Sequence, residues 1–225
     1  MDRDRESQRR EALAAAWPLF GLAVRTPRLE LRYPTDDELL GLLEVIGDIH
    51  DPAFLPFLTP WSLVPAPDLQ RNSLRHFWEG RSALRPESWS LPLVVVVRGE
   101  VLGVQGVGAT DFAVRRTVSS GSWLHRPRHG EGIGTEMRAA MLHLAFAGMG
   151  ADRAETGAFE GNESSLAVTR KLGYRPTGDQ VVAVDGQRRR ELTFVLDREA
   201  WARRRRDDIA IVGLDPCRAM LGLPT

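Results

Sequence analysis

Three glycines at alternate positions separate a predicted strand, Ser120–His125, from a predicted helix, Glu136–Ala147. Glycine lets a backbone pass close to a bulky anion, and the first turn of the following helix presents N–H groups without a partner in the helix. These donors and the positive end of the helix dipole favour a pyrophosphate. By itself the loop fits equally well a turn that only joins strand to helix. Its residues are His129, Gly130, Glu131, Gly132, Ile133, Gly134 and Thr135.

Positive charge lies directly before the loop. Arg126 and Arg128 can add contacts to a phosphate or to the adjacent ribose. A P-loop is excluded because it needs Gly-Lys-Ser/Thr, and the only lysine of the chain is Lys171. A dinucleotide fold is disfavoured because its glycines are spaced Gly-x-Gly-x-x-Gly. Asp152 has about the right distance for a ribose-binding acid but precedes the next strand instead of ending it.

Composition limits the class of protein. A chain of 225 residues fits one globular domain with appendages, and 30 basic against 30 acidic residues give no net charge for gripping nucleic acid. The longest apolar run, Leu93–Val97, is too short to span a membrane. The single cysteine, Cys217, cannot form an internal disulfide and has no surrounding nucleophile constellation. We therefore expect a cytoplasmic protein without bound metal, nucleic acid or membrane partner.

Hydrophobic periodicity predicts the elements before the loop. Thr35 and Glu38 form a predicted capping box at the start of a helix. Gly99-Glu100 predicts a tight antiparallel turn. The predicted elements are a helix in Arg5–Phe20, a strand at Leu29–Tyr33, a helix from Thr35 to Ile46, a packed loop at Asp51–Pro67, a helix at Asp68–Leu84, and strands at Trp89–Arg98 and Val101–Val107.

After the loop helix, the pattern predicts a short strand at Ala154–Phe159 and a helix at Ser164–Leu172 that ends at Gly173. A hairpin around Asp185-Gly186 follows, with strands at Val181–Val184 and Glu191–Leu196. This order of elements predicts an α/β (α+β) fold.

Two motifs carry a resemblance to a known family. Gly132 and Gly134 fall on the small positions of Gln/Arg-x-x-Gly-x-Gly/Ala, the acetyl-CoA loop of the GNAT superfamily. Asn162–Tyr174 is similar to Asn-x-x-Ser-x-x-Val/Leu-x-x-Lys-Leu-Gly-Phe/Tyr of the branch that resembles ribosomal-protein alanine N-acetyltransferases (RimJ/RimL-like). The family's Gln/Arg position holds His129 here, and we expect coenzyme binding to survive because backbone amides make most pyrophosphate contacts.

The resemblance implies an architecture. It spans residues 22–201, which are expected to form a mixed, mostly antiparallel twisted sheet, splayed at the acetyl-CoA site and flanked by helices. Residues 1–21 are expected to be an N-terminal helical extension. Residues 202–225 hold apolar side chains from Ile209 to Leu214, so we expect them to pack on the domain, as an extra edge strand, or on the partner in a homodimer.

The resemblance also implies an activity, transfer of an acetyl group from acetyl-CoA to an amine that attacks the thioester directly. Ser165 is implied as the hydrogen-bond donor to the departing thiolate, and Asn162 as the residue that positions the pantetheine arm. Both residues also fit simple capping of the helix. The N–H of Leu124 is implied as the donor that polarises the carbonyl. Glu155 is the candidate base, with Asp111, His125 or a water chain as alternatives.

The acceptor pocket is expected between Leu39 and Leu84. Its aromatic residues, which fit core positions as well, are Phe54, Phe57, Trp61 and Trp78. The acceptor is expected to be a protein or peptide N-terminus or a small amine. Two alternatives remain open at this point: a catalytically silent acyl-CoA-binding sensor or scaffold with the same fold, and a nucleotide-binding protein.

Overall fold

The computed structural model describes residues 2–224, with side chains from residue 8 onward. The strands are β1 (Ala23–Arg25), β2 (Glu30–Arg32), β3 (Ser88–Val97), β4 (Glu100–Thr110), β5 (Thr117–Leu124), β6 (Arg153–Phe159), β7 (Arg175–Val184), β8 (Gln187–Asp197) and β9 (Ala210–Val212). The α-helices are α1 (Asp2–Ala16), α2 (Asp36–Val45), α3 (Asp68–Ala83), α4 (Phe112–Arg115), α5 (Ile133–His143), α6 (Glu163–Lys171) and α7 (Arg198–Ala202). A π-helical turn, Leu144–Met149, continues α5.

All nine strands form one sheet in the order β7-β8-β6-β5-β4-β3-β2-β1-β9. Every neighbouring pair is antiparallel except β5 and β6, which are parallel and joined through α5. A parallel pair needs a crossover connection, and the helix after the glycine loop supplies it. The predicted mixed, mostly antiparallel sheet flanked by helices is confirmed.

The sheet opens between β5 and β6. These two strands pair only from Thr117 with Arg153 to Ser120 with Thr156. Beyond that point β5 stays paired with β4 as far as Leu124, and β6 stays paired with β8 as far as Phe159. The predicted splay is therefore a gap whose two edges are each held by the strand on the other side.

Alternation along β3 explains why both faces of the sheet are covered. Leu91, Leu93 and Val95 belong to the large core on the α5 face, whereas Val94 and Val96 pack with residues of α2 and α3 on the opposite face. Because successive strand residues point to opposite faces, a continuous apolar run belongs to a strand buried on both sides. Each helical layer therefore lies against the sheet from its own side.

Local signals set several boundaries. Helix α2 begins at the predicted capping box, in which the Thr35 hydroxyl accepts from the Glu38 N–H and the Glu38 carboxylate accepts from the Thr35 N–H.

The sequence pattern did not predict two short helices, α4 and α7, because a single helical turn is too short to show a hydrophobic periodicity. The segment after residue 202 contributes β9, which pairs antiparallel with β1.

Candidate functional site

A cleft of about 1700 Å³ runs through the gap between β5 and β6 and opens on both faces of the sheet. One end is formed by the glycine loop and the first turns of α5 and α6. The other end is formed by aromatic side chains of the segment between α2 and α3. A long ligand can therefore enter from the loop side and reach a second ligand through the open sheet.

The glycine loop has the conformation that its composition predicts. Gly130 and Gly132 have φ of 82° and 79°, in the left-handed region that favours glycine. Gly132 is the N-cap of α5, and its carbonyl accepts from the Glu136 N–H. The N–H groups of Ile133, Gly134 and Thr135 belong to the first helical turn, which leaves them without intrahelical acceptors. Of these, Gly134 and Thr135 line the cleft, so their N–H groups and the positive end of α5 lie at its entrance.

Thr135 and the three glycines line the cleft, whereas Glu131 and Ile133 do not. Ile133 is buried in the core, so only its backbone can serve the loop. Glu131 is exposed, and its carbonyl accepts a 3.0 Å hydrogen bond from Arg28 Nη1. Sequence reasoning had assigned no role to Arg28, since contacts between distant segments leave no local signal.

The predicted basic side chains at the loop have protein partners. Arg126 Nε donates to the Asp48 carboxylate at 2.5 Å, and Arg128 forms an ion pair with Glu131 at 3.3 Å. The Asp48 hydrogen bond and charge raise the pKa of Arg126. Both arginines line the cleft, so they are near an incoming phosphate, but neither is a free cation.

His129 turns towards the strand. Its Nε2 lies 2.9 Å from the Leu124 carbonyl oxygen, and because a carbonyl only accepts, Nε2 carries the proton. The ring therefore bonds the protein backbone. This hydrogen bond from His129 therefore links the loop to the end of β5.

The backbone of Leu124 faces the gap. Gly103 and Leu124 are opposite each other, and the bond from the His125 N–H to the Leu102 carbonyl makes them a non-hydrogen-bonded pair. The N–H and carbonyl of Leu124 therefore point away from β4 and towards β6, with which this part of β5 does not pair. The carbonyl accepts a hydrogen bond from His129, and the N–H faces the gap.

Asn162 and Ser165 both line the cleft. Asn162 is the N-cap of α6, with Oδ1 accepting from the Ser165 N–H at 3.2 Å and from the Ser164 hydroxyl at 3.1 Å. The helix-capping interpretation of Asn162 is therefore realised. Within residues 8–224 the hydroxyl of Ser165 has no hydrogen-bond partner. Ser165 is half-buried beside the gap.

The three candidate bases lie in different places. Glu155 is exposed on β6 and lines the cleft on the face of α2 and α3. Asp111 is outside the cleft, before the short helix α4, and His125 is outside it as well. Glu155 is the only one of the three that the fold brings to the gap.

The far end of the cleft is aromatic. Phe57 and Trp61 have ring centroids 5.0 Å apart, and Trp61 lies 6.2 Å from Trp123 of β5. His50 packs its edge on Phe57 at 5.6 Å and hydrogen-bonds Ser62. Sequence reasoning had missed His50 and Trp123, which the α2–α3 segment and the open strand bring together.

Phe54, Phe57 and Trp61 line the cleft as expected, but the placement of Trp78 in the acceptor pocket is wrong. Trp78 is 49% exposed on the outer side of α3, and its Nε1 donates to Asp36 of α2. Trp78 follows Phe77 directly in α3, and adjacent residues of a helix point in different directions. Phe77 is therefore buried, whereas Trp78 faces outward.

Three further observations concern ligands and surroundings. Cys217 is buried, and burial raises the pKa of its thiol to about 11, so it stays protonated. No helix in residues 2–224 is both long and apolar enough to span a membrane. Within the described chain, no three His, Cys, Asp or Glu side chains are grouped to hold a metal ion.

Known proteins that resemble this chain in sequence or fold are acetyltransferases. The model of the acetyltransferase (GNAT) domain matches residues 28–175. RimJ of Mycobacterium smegmatis, solved with a CoA-disulfide, has a TM-score of 0.63 at 22% identity over 83% of this chain and 93% of its own. RimL, a ribosomal L7/L12 alpha-N-protein acetyltransferase solved with coenzyme A, has a TM-score of 0.62 at 18% identity, with 78% of this chain and 97% of the RimL chain covered.

A GNAT-family acetyltransferase from Bacillus anthracis has a TM-score of 0.62 at 17% identity, with 79% of this chain and 99% of the other covered. The family match runs from β2 to the end of the Asn162 motif and includes the open gap and the glycine loop. The chain therefore belongs to the GNAT acetyltransferase family and is an acetyl-CoA-dependent N-acetyltransferase.

Proposed function

We propose that this enzyme transfers the acetyl group to the N-terminal amine of a peptide or protein, by direct attack of the amine on the thioester. The observation that carries the proposal is the gap beyond Ser120, which joins a loop suited to a pyrophosphate with an aromatic groove on the other face. Two ligands can meet there without a covalent enzyme intermediate. No nucleophilic side chain is required, in keeping with the buried, protonated Cys217.

The coenzyme is proposed to bind with its pyrophosphate on the N–H groups of Gly132, Gly134 and Thr135. Its pantetheine arm then follows the free edge of β5 into the gap. The N–H of Leu124, which β4 does not use, is proposed to hydrogen-bond the thioester carbonyl and to stabilise the oxyanion that forms on attack. Because this donor is fixed by strand pairing, it needs no reorganisation during the reaction.

The leaving thiolate and the incoming amine need proton transfer. Ser165 is proposed to donate a hydrogen bond to the thiolate, since its hydroxyl lines the gap and has no competing partner in the described chain. Asn162 is proposed to position Ser165 through the cap bond and to contact the pantetheine arm through its amide N–H groups. Glu155 is proposed to take the amine proton, directly or through one water molecule.

A peptide acceptor is supported by the backbone of the gap. The edge of β6 from Gly157 to Phe159 is not paired with β5, so an extended peptide can add hydrogen bonds along it. The aromatic groove of Phe57, Trp61 and Trp123 then suits an apolar side chain near the N-terminus. A small polar amine would leave most of this groove empty.

The test measures thiol release from acetyl-CoA with short peptides, with aminoglycoside-type amines and with no acceptor. Peptides with free N-termini should be acetylated, the same peptides with blocked N-termini should not, and mass spectrometry should locate the acetyl group on the α-amine. Turnover confined to small amines would overturn the peptide assignment. Accumulation of an acetylated enzyme before product would overturn direct attack.

A further inference from the structure

A buried arginine lies where β5 and β6 separate. Arg138 is in α5, one turn after the glycine loop, and only 4% of its surface is exposed. Its Nη2 donates to the Ser122 hydroxyl at 3.1 Å and its Nη1 to the Thr156 hydroxyl at 3.4 Å. These hydroxyls belong to the two strands that diverge, so the guanidinium bridges the floor of the gap, and it lines the cleft.

The charge of Arg138 has no counter-charge within residues 8–224. Arg138 forms no ion pair with a carboxylate there, and its Nε has no hydrogen-bond partner. The nearest acid along the helix, Glu136, is bonded instead to Thr26 and Arg28. A buried charge is costly unless it is paired, so a guanidinium bonded only to neutral hydroxyls indicates an anion that arrives with a ligand.

The surroundings of Arg138 also suit an anion. Tyr174 is buried beside it, and its hydroxyl, like that of Ser120, lacks a hydrogen-bond partner within the described chain. Burial raises the pKa of Tyr174, although the positive charge of Arg138 acts against the rise, so the phenol stays neutral. Tyr174 therefore cannot neutralise the guanidinium, and its O–H and that of Ser120 remain as donors.

The distance between Arg138 and the proposed thioester position limits the length of the acyl chain that carries the anion. Ser122 and Leu124 are two residues apart on one strand face, which is about 6.6 Å. An acyl chain with three carbon–carbon bonds of about 1.5 Å spans about 4 Å when extended. A hydrogen bond of about 2.8 Å from the carboxylate then completes the spacing to the level of Ser122, whose hydroxyl Arg138 Nη2 contacts.

We propose that the enzyme also accepts a four-carbon dicarboxylic acyl-CoA, succinyl-CoA, whose free carboxylate pairs with Arg138 and the hydroxyls around it. The proposal rests on the coenzyme placement proposed above. The amine nitrogen bonds to the thioester carbonyl carbon and the carbon–sulfur bond breaks. The products are an N-succinyl amide with a free carboxylate and CoA, whose thiolate receives a proton while the amine releases one.

The test compares succinyl-CoA with butyryl-CoA, which has the same chain length but no carboxylate. Isothermal titration with the full chain needs no acceptor. The wild-type protein should bind succinyl-CoA about 10- to 100-fold more tightly than butyryl-CoA, the ratio expected of a hydrogen bond to a charged group. The Arg138→Met variant should bind butyryl-CoA more tightly than succinyl-CoA. The control is Arg71→Met, which replaces an exposed arginine on α3 and should keep the wild-type ratio of the two affinities.

Arg138→Lys keeps the charge without the planar fork and should retain part of the preference. Equal binding of the two ligands by the wild-type protein would overturn the proposal, and this measurement does not depend on any variant folding. Acetyl-CoA is titrated in parallel. If acetyl-CoA binds and turns over without a succinyl preference, only the inference on Arg138 fails. If acetyl-CoA does not bind at the loop, the proposed coenzyme placement fails with it.

Discussion

Arg28 Nε donates a 2.5 Å hydrogen bond to the buried carboxylate of Glu136, the residue that follows the glycine loop. Through Nη1 the same guanidinium holds the Glu131 carbonyl inside the loop. A residue between β1 and β2 thus joins the first turn of α5 to the loop that precedes it. Loop geometry therefore depends on a contact more than 100 positions away in the chain.

Arg28→Met should lower the free energy of unfolding by about 1–3 kcal/mol, because Glu136 stays buried after losing a charged donor. The loss is below that of a fully buried pair, since water reaches Arg28, which is 51% exposed. Arg25→Met is the matched control, because its pair with Glu30 is exposed and should contribute less than about 1 kcal/mol. Equal losses in urea denaturation would refute the role of Arg28.

Glu136 should also contribute to acid sensitivity. Burial alone would raise its pKa, but hydrogen bonds from Thr26 and Arg28 and the charges of Arg28 and Arg206 outweigh burial and lower the pKa below the ordinary 4.5. Its stabilisation is therefore present above pH 4.5 and is lost as the pH falls through the folded value.

As the pH falls from about 5 through the folded-state pKa of Glu136, the wild-type protein should lose more unfolding free energy than Glu136→Gln. Urea titrations at a series of pH values measure the difference. Parallel curves for the two proteins would show that Glu136 has the same pKa in both states.

Gly132→Ala should weaken CoA binding at least about tenfold, the factor that corresponds to roughly 1.4 kcal/mol. The substitution places a Cβ in the left-handed region at φ 79° and within 3.3 Å of Arg28 Nη2, so the loop must shift. Gly186→Ala is the control, since it creates similar strain at φ 70° in a hairpin with open space around it. Calorimetry should find unchanged CoA affinity in Gly186→Ala. Equal affinities in both variants would argue against loop binding.

Ser165→Ala should reduce kcat by about 100-fold and leave CoA affinity within about twofold, if the hydroxyl acts on the thiolate during the reaction. Ser164→Ala is the neighbouring control, because Ser164 is exposed and bonds only the Asn162 side chain. Steady-state kinetics and CoA titration separate the two effects. A Ser165→Ala enzyme with wild-type kcat would leave Ser165 as a helix residue without a catalytic part.

Truncation after Arg206 should destabilise the protein and reduce its solubility. The removed segment contains β9, and its buried Leu214, Cys217 and Leu221 belong to the main core. The indole N–H of Trp89 would also lose its acceptor, the Leu221 carbonyl. Thermal unfolding and size-exclusion chromatography provide the readouts. A truncated protein that remains soluble, monomeric and as stable as the full chain would contradict a structural role for the segment.

The sequence by itself determined the elements that carry strong local signals. The glycine spacing indicated a phosphate loop, the Thr35–Glu38 box began a helix, and the apolar run around Leu93–Val97 gave a strand buried on both faces. Together with the Asn162–Tyr174 motif, the loop also indicated the family. These features depend on neighbours within a few residues, so a sequence pattern can record them.

Only the tertiary structure decided the partners of the site. His129 bonds the Leu124 carbonyl, and Arg126 pairs with Asp48. Trp78 lies outside the groove, and Arg138 lies at the floor of the gap. Each of these contacts joins side chains or backbone groups whose meeting depends on sheet order, strand register and the face on which a helix packs. Because such contacts form only after distant segments assemble, no local pattern in the chain predicts them.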